Sequence, residues 1–202
     1  MPTVLEQNRR TFLKTAVVVG GGLLLGFHLP LGEILGQAAE QNATLFEPNA
    51  WVRIGADNQI TIMMAHSEMG QGVMTALPML VAEELEVDLK SVRVETAPAA
   101  PAYINPIIGV QLTGGSTSVR SSWRQLREAG ATARAMLVGA AAQRWGIDAA
   151  TLVTDNGVVH DPKSSRSATY GELAAVAAKL PVPREVTLKQ ASQYKLIGKP
   201  IA

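Results

Sequence analysis

Two glycine-punctuated junctions constrain this chain more than any other feature. Gly70-Gln71-Gly72 lies between a β-prone run at residues 59–65 and a helical pattern ending near Asp88, and Thr113-Gly114-Gly115-Ser116-Thr117-Ser118 opens the longest helical pattern, 116–145. Glycine takes positive φ without a Cβ clash, so each junction can turn sharply into a helix whose first N–H groups face outward. Junctions of this kind, repeated along the chain, point to an α/β or α+β layer structure: a short mixed sheet with packed helices.

The remaining pattern fills in that layout. Residues 51–54 and 59–65 flank the turn cluster Gly55-Ala56-Asp57-Asn58 and read as a hairpin. Leu77, Leu80, Val81, Glu84 and Leu85 recur at spacings of three and four, and Pro78, which lacks an N–H, requires that helix to begin only a few residues earlier. Residues 91–96 read as a strand with Val92 and Val94 facing one way. Residues 97–113 form a long loop with three prolines, and loops of this length are often functional. Val119, Trp123, Leu126, Ala133, Leu137 and Ala140 make one stripe of the long helix, where Gly130 and Gly139 either weaken it or permit close packing. Asn156-Gly157 marks a second tight hairpin, and Thr169-Tyr170-Gly171-Glu172 reads as a capping box opening a last short helix. Residues 47–190 therefore constitute the domain, and 191–202 read as a linker toward a further domain.

The first 40 residues read as an address. Asn8-Arg9-Arg10-Thr11-Phe12-Leu13-Lys14 precedes the weakly apolar stretch 16–31, interrupted by Gly20, Gly21 and Gly22. Basic region then apolar region is export-signal order, and the arginine pair followed by Phe-Leu-Lys matches a twin-arginine signal. The stretch falls short of the roughly 18 to 20 residues a membrane span needs. A periplasmic location is expected, and membrane association is compatible with it. Because that pathway carries folded proteins, a cofactor acquired before export is implied.

Composition narrows the chemistry. The chain has no cysteine, which excludes disulfides, thiolate metal sites, iron–sulfur ligation and cysteine nucleophiles within it. His28, His66 and His160 are scattered, so no protein-ligated metal is expected. Eighteen Lys and Arg against 17 Asp and Glu give no field that would gather nucleic acid. The glycines around Gln71 would let a ligand approach the backbone, and Gln71 offers an amide that both donates and accepts. The hydroxyls and amides at residues 113–118 suit a phosphate or pyrophosphate at a helix start. Neither element is a Walker loop or a dinucleotide fingerprint. Each taken alone reads first as an ordinary turn or N-cap.

Taken in order, Glu68-Met69-Gly70-Gln71-Gly72-Val73, Leu80-Val81-Ala82-Glu83-Glu84-Leu85, Val92-Arg93-Val94 and Thr113-Gly114-Gly115-Ser116-Thr117-Ser118 resemble the molybdenum-binding subunits of the xanthine dehydrogenase and aldehyde oxidase superfamily. The likeness is greatest to the branch of isoquinoline 1-oxidoreductase beta subunits and membrane-associated aldehyde dehydrogenases. The resemblance implies part of a larger molybdopterin-binding domain. It implies that Gln71 contacts the pterin of a molybdopterin cytosine dinucleotide with molybdenum, that Gly70 and Gly72 shape the loop, and that Ser116, Ser118 and Thr117 meet its phosphate end. It further implies hydroxylation of an N-heterocycle or aldehyde with water-derived oxygen. The implied partners are a small 2Fe-2S subunit, in some members a cytochrome c subunit, and the C-terminal remainder of the same subunit. The family's catalytic glutamate, in a Gly-x-Gly-Glu context, has no counterpart here, so no catalytic residue is assigned. Glu83 and Glu84 are expected on a solvated helix face, Arg120, Arg127 and Arg134 on a solvated stripe, Trp123 and Trp145 in packing, and His66 in a loop or the core. The competing reading is a non-catalytic truncated or split-gene product that acts as a subunit-binding or anion-binding module.

Overall fold

The computed structural model describes residues 45–200; the expected signal at 1–40 lies outside them. Four strands, β1 (Leu45–Asn49), β2 (Val52–Gly55), β3 (Ile60–Met64) and β4 (Val92–Thr96), form a sheet in that order. β1, β2 and β3 pair antiparallel, and β3 and β4 pair parallel, with Ile60 opposite Val92 and Met64 opposite Thr96. A parallel pair needs a crossover, here supplied by helix α1 (Val73–Leu85). β1 has no sequence counterpart because it carries Pro48. The edge position it occupies tolerates the missing N–H.

Pro78 is the sixth residue of α1, past the first-turn N–H groups that lack a partner, so its missing donor interrupts the helix ladder and does not set the start of the helix. Glu86 ends the helix at a left-handed φ of 59° with its N–H on the Ala82 carbonyl. Helix α2 (Ser118–Trp145) crosses α1 at Gly130, where a Cβ would lie 2.4 Å from the Val81 carbonyl oxygen. Of the two α2 glycines, Gly130 is thus the one that permits close approach. A second, three-stranded antiparallel sheet, β5 (Val153–Asp155), β6 (Val158–His160) and β7 (Ser167–Thr169), follows. Its first turn, Asn156-Gly157, takes φ of 44° and 76°, as expected for a tight hairpin. Helix α3 (Tyr170–Ala177) opens with the Thr169–Glu172 capping box. The buried Tyr170 hydroxyl donates to the Leu85 carbonyl at 2.7 Å and ties α3 to the end of α1. Ile54, Ile62, Met64, Leu77, Leu85, Leu126, Leu137 and Leu173 are essentially inaccessible and form the core between sheet and helices.

Three expectations fail, for one physical reason. Glu83 and Glu84 are not solvated but buried at 1% and 0% exposure. The segment 187–197, expected to include a linker, lies over them. Glu84 accepts from Arg127 Nε at 2.9 Å and Nη2 at 2.6 Å, and from the Lys189 N–H at 3.2 Å. Glu83 accepts from Lys189 Nζ at 2.7 Å and from the N–H groups of Lys195, Leu196 and Ile197 at 2.7–3.1 Å. Arg127 is likewise buried, its guanidinium against the Trp123 and Tyr194 rings, and Arg134 is partly buried near Glu84 and Glu86; Arg120 is exposed as expected. Periodicity reveals one apolar face, but not a second face sealed by a distant segment. Conversely, Val119 and Trp123, assigned to the packed stripe, are 43% and 38% exposed, because the first turns of α2 extend past the core.

Candidate functional site

Both glycine junctions lie at one end of the domain and touch. The Ser67 N–H donates to Thr113 Oγ1 at 2.8 Å, and the His66 ring, 5% exposed, sits between Ser118 Oγ and Ser122 Oγ, 3.4 Å from each. Gly70 and Gly72 take φ of 90° and 81°, and a Cβ on either would meet nothing within 4 Å. The glycines are therefore needed for backbone conformation, and the space beside them is open.

The two helix starts differ in chemistry. At α1, the Glu68 carboxylate accepts from the N–H groups of Gly70 at 2.8 Å, Gly72 at 2.9 Å and Met74 at 3.0 Å. The Met74 and Gly72 amides lead in holding this carboxyl below its ordinary range. The outward anion site expected there is thus filled by the chain's own side chain. Gln71 braces the same loop: its Oε1 accepts from the Met69 N–H at 2.5 Å and its Nε2 donates to the Ser67 carbonyl at 3.0 Å. One amide hydrogen and one lone pair of Gln71 remain for an outside group.

At α2 no side chain caps the helix and its first turn holds no acidic residue. Thr117 stands at the N-cap position, but its buried hydroxyl donates to the Gly114 carbonyl and accepts from Asn105 Nδ2, each at 2.8 Å. That hydroxyl is committed to holding residues 105–110 against the turn. Gly115 and Ser116 take φ of 62° and 52°, with Ser116 exposed, Ser118 half-buried and Arg120 exposed beside them. An open helix start with two hydroxyls beside it and an exposed arginine in its first turn is a donor set for an anion. The residues present therefore fit the phosphate end of a nucleotide cofactor at α2, and fit a neutral ring system beside the already neutralised loop at α1.

Sequence reasoning missed Glu68 as the α1 cap and passed over Ser122 and Asn105, while His66, expected in a loop or the core, is buried. The available signal for Ser122 was its spacing, one helical turn beyond Ser118. Among the described residues no cluster of His, Asp and Glu could hold a metal ion, and no helix is long and apolar enough to cross a membrane. A recess of about 320 Å³ lies elsewhere, beside Glu83, Glu86, Asp155, Lys189 and Lys195. Its two lysines are both paired with its own carboxylates, so it offers no free cation to a ligand.

Comparison with known proteins agrees with this geometry. The chain is 41% identical over 179 residues to the isoquinoline 1-oxidoreductase subunit beta of Brevundimonas diminuta, covering 87% of this chain and 22% of that protein. It is 31% identical over 207 residues to the membrane-bound aldehyde dehydrogenase (pyrroloquinoline-quinone) of Gluconacetobacter polyoxogenes, covering 95% of this chain and 25% of that protein. This chain thus spans a quarter or less of the length of either relative. Its fold is similar to the crystal structure of quinoline 2-oxidoreductase from Pseudomonas putida 86, with a TM-score of 0.50 at 20% identity over 68% of this chain and 17% of that one. A model of the molybdopterin cofactor-binding domain matches residues 6–200, nearly the whole chain, and with the two relatives it establishes that this protein belongs to the molybdopterin cofactor-binding domain family.

Proposed function

We propose that this chain supplies one wall of the cofactor pocket in an exported molybdenum hydroxylase acting on N-heterocycles or aldehydes, with the cofactor as molybdopterin cytosine dinucleotide. The observation that carries the reading is the meeting of the two loops, one with a neutralised helix start and Gln71, the other with an open one and Ser116, Ser118 and Arg120. The α2 turn holds the phosphate end, and the Gly70-Gln71-Gly72 loop meets the pterin with what Gln71 has left to offer. When bound, the cofactor supplies the redox chemistry that places water-derived oxygen on an electron-poor carbon. The chain's own residues bind and orient it.

The surroundings support a wall rather than a whole pocket. Met69, Ile104, Ile107, Ile108, Val110, Val119 and Trp123 are exposed large apolar residues. Met69 lies on the first loop, Ile104, Ile107, Ile108 and Val110 on the segment pinned to the second loop by Asn105, and Val119 and Trp123 on the first turns of α2. Exposed apolar surface of this extent marks an interface. The remainder of the subunit would cover it and bring the missing glutamate, with a 2Fe-2S subunit, and in some assemblies a cytochrome c, taking the electrons. The Brevundimonas relative is itself named as one subunit of its enzyme.

The test is a chimera in which residues 43–200 replace the matching segment of the Brevundimonas subunit. Molybdenum and acid-released CMP should approach one per subunit. Gln71→Ala combined with Ser116→Ala and Ser118→Ala should deplete both, since each hydrogen bond to a charged group is worth about 1.5–3 kcal/mol, while cofactor-free melting changes little. Normal molybdenum and CMP in the triple variant would remove these residues from the site. Pyrroloquinoline quinone recovered in place of CMP would overturn the cofactor assignment.

A further inference from the structure

We propose that His66 is a positioning residue: its Nδ1–H donates to Ser118 Oγ and leaves the serine hydroxyl proton pointing outward to an anion at the start of α2. This rests on the reading of the α2 turn as the phosphate site, and it assigns a role to a buried histidine that neither loop motif contains. The ring is 5% exposed although residues 67–72, which follow it, are exposed. Its two nitrogens face two hydroxyls one helical turn apart, Nδ1 toward Ser118 Oγ and Nε2 toward Ser122 Oγ, at 3.4 Å each.

A neutral imidazole has one donor and one acceptor nitrogen, so one serine donates to the bare nitrogen while the other faces the N–H, whose proton it shares with the Leu112 carbonyl. Burial disfavours the charged ring, with a hydrogen bond to the Leu112 backbone opposing. If Nε2 carried the proton, Ser118 would spend its own hydrogen on Nδ1 and present lone pairs to an incoming phosphate. With the proton on Nδ1, Ser122 donates to Nε2, Ser118 accepts from the ring, and its hydrogen is free for the anion. Only the second arrangement makes Ser118 a donor. It also links the end of β3 to the mouth of α2, so the two loops are held in register through one ring.

Two measurements on the full chain test this. Long-range ¹H–¹⁵N correlation, with the His66 signals assigned by their loss in His66→Asn, should show the Nδ1–H tautomer. The Nε2–H tautomer, or an averaged pair, would overturn the proposal. In the second, inorganic pyrophosphate is titrated while the amides of residues 118–120 are followed. Ser118→Ala and His66→Phe should each raise the dissociation constant about tenfold, the loss of one charge-assisted hydrogen bond, with no further rise in the double variant. His66→Asn, whose amide can reach Ser118 as Nδ1–H does, should restore binding to within about threefold, whereas His66→Gln should not. A purely structural role would make binding follow the thermal stability of the variants, not the position of the restored donor. Weakening by Ser118→Ala but not by His66→Phe would refute positioning. Absence of pyrophosphate binding by the unsubstituted chain would refute the phosphate reading instead, and the tautomer measurement would then decide the role of His66 alone.

Discussion

Glu83→Ala removes a carboxylate that holds a distant segment of chain in place, and its consequence can be worked from the contacts. The side chain is 1% exposed and accepts from Lys189 Nζ at 2.7 Å and from three successive backbone N–H groups, Lys195, Leu196 and Ile197. Lys189 keeps a second partner, Glu86 Oε1 at 2.7 Å, so its charge is not orphaned. The three amides have no such reserve. Left buried without an acceptor, each would cost about 1–3 kcal/mol, so the segment should peel away and rehydrate. The loss is then that of breaking a buried ion pair, about 3–5 kcal/mol. For a domain of this size each kcal/mol lowers the melting temperature by about 2–4 °C, so the variant should melt roughly 6–20 °C lower. Glu83→Gln keeps the shape and one carbonyl acceptor and should lose less. Circular dichroism gives the melting temperature, and hydrogen exchange at the 195–197 amides reports the release. A solvated glutamate would change stability by no more than about 0.5 kcal/mol. A fall of under about 2 °C with unchanged exchange at those amides would refute the clamp.

The same carboxylate makes stability pH-dependent. Burial alone would raise the Glu83 carboxyl, but the Lys189 ammonium and the N–H groups of Leu196, Ile197 and Lys195 hold it below its ordinary value. The unfolded chain then binds the proton first, so the stabilisation is complete above the ordinary carboxylate range and is lost as pH falls toward the lower folded value. Acid unfolding of Glu83→Gln should be less steep than that of the unsubstituted chain. Gly130→Ala would place a Cβ 2.4 Å from the Val81 carbonyl oxygen, and forcing α1 and α2 apart should cost about 1–3 kcal/mol, read by urea unfolding; an unchanged midpoint would show that the crossing can relax. Replacing Arg9 and Arg10 together with lysine should strand the precursor in the cytoplasm, since a twin-arginine receptor reads the pair and not its charge. Undiminished periplasmic yield on fractionation would exclude that export route.

Much of the architecture was legible because it is written in local chemistry. The Asn156-Gly157 turn, the Thr169–Glu172 capping box and the strand pairing around residues 55–59 each depend on residues close in sequence. The Gly70-Gln71-Gly72 and 113–118 elements were visible for the same reason, since positive φ and helix starts leave a signature in glycine, serine and threonine. What the sequence could not determine was which partner each polar group would find. Glu68 occupies the α1 amides, leaving α2 as the open helix start, and that division follows from the path of the connection at residues 65–72. Glu83, Glu84 and Arg127 carry the pattern of a surface stripe. They become the buried core of an ionic clamp only because residues 187–197 return across α1, more than a hundred positions later in the chain. His66 acquires its serine partners by the same kind of long-range closure, 52 and 56 residues away. Period and propensity are properties of one segment, whereas burial and hydrogen-bond partnership belong to pairs of segments, and only the folded chain chooses the pairs.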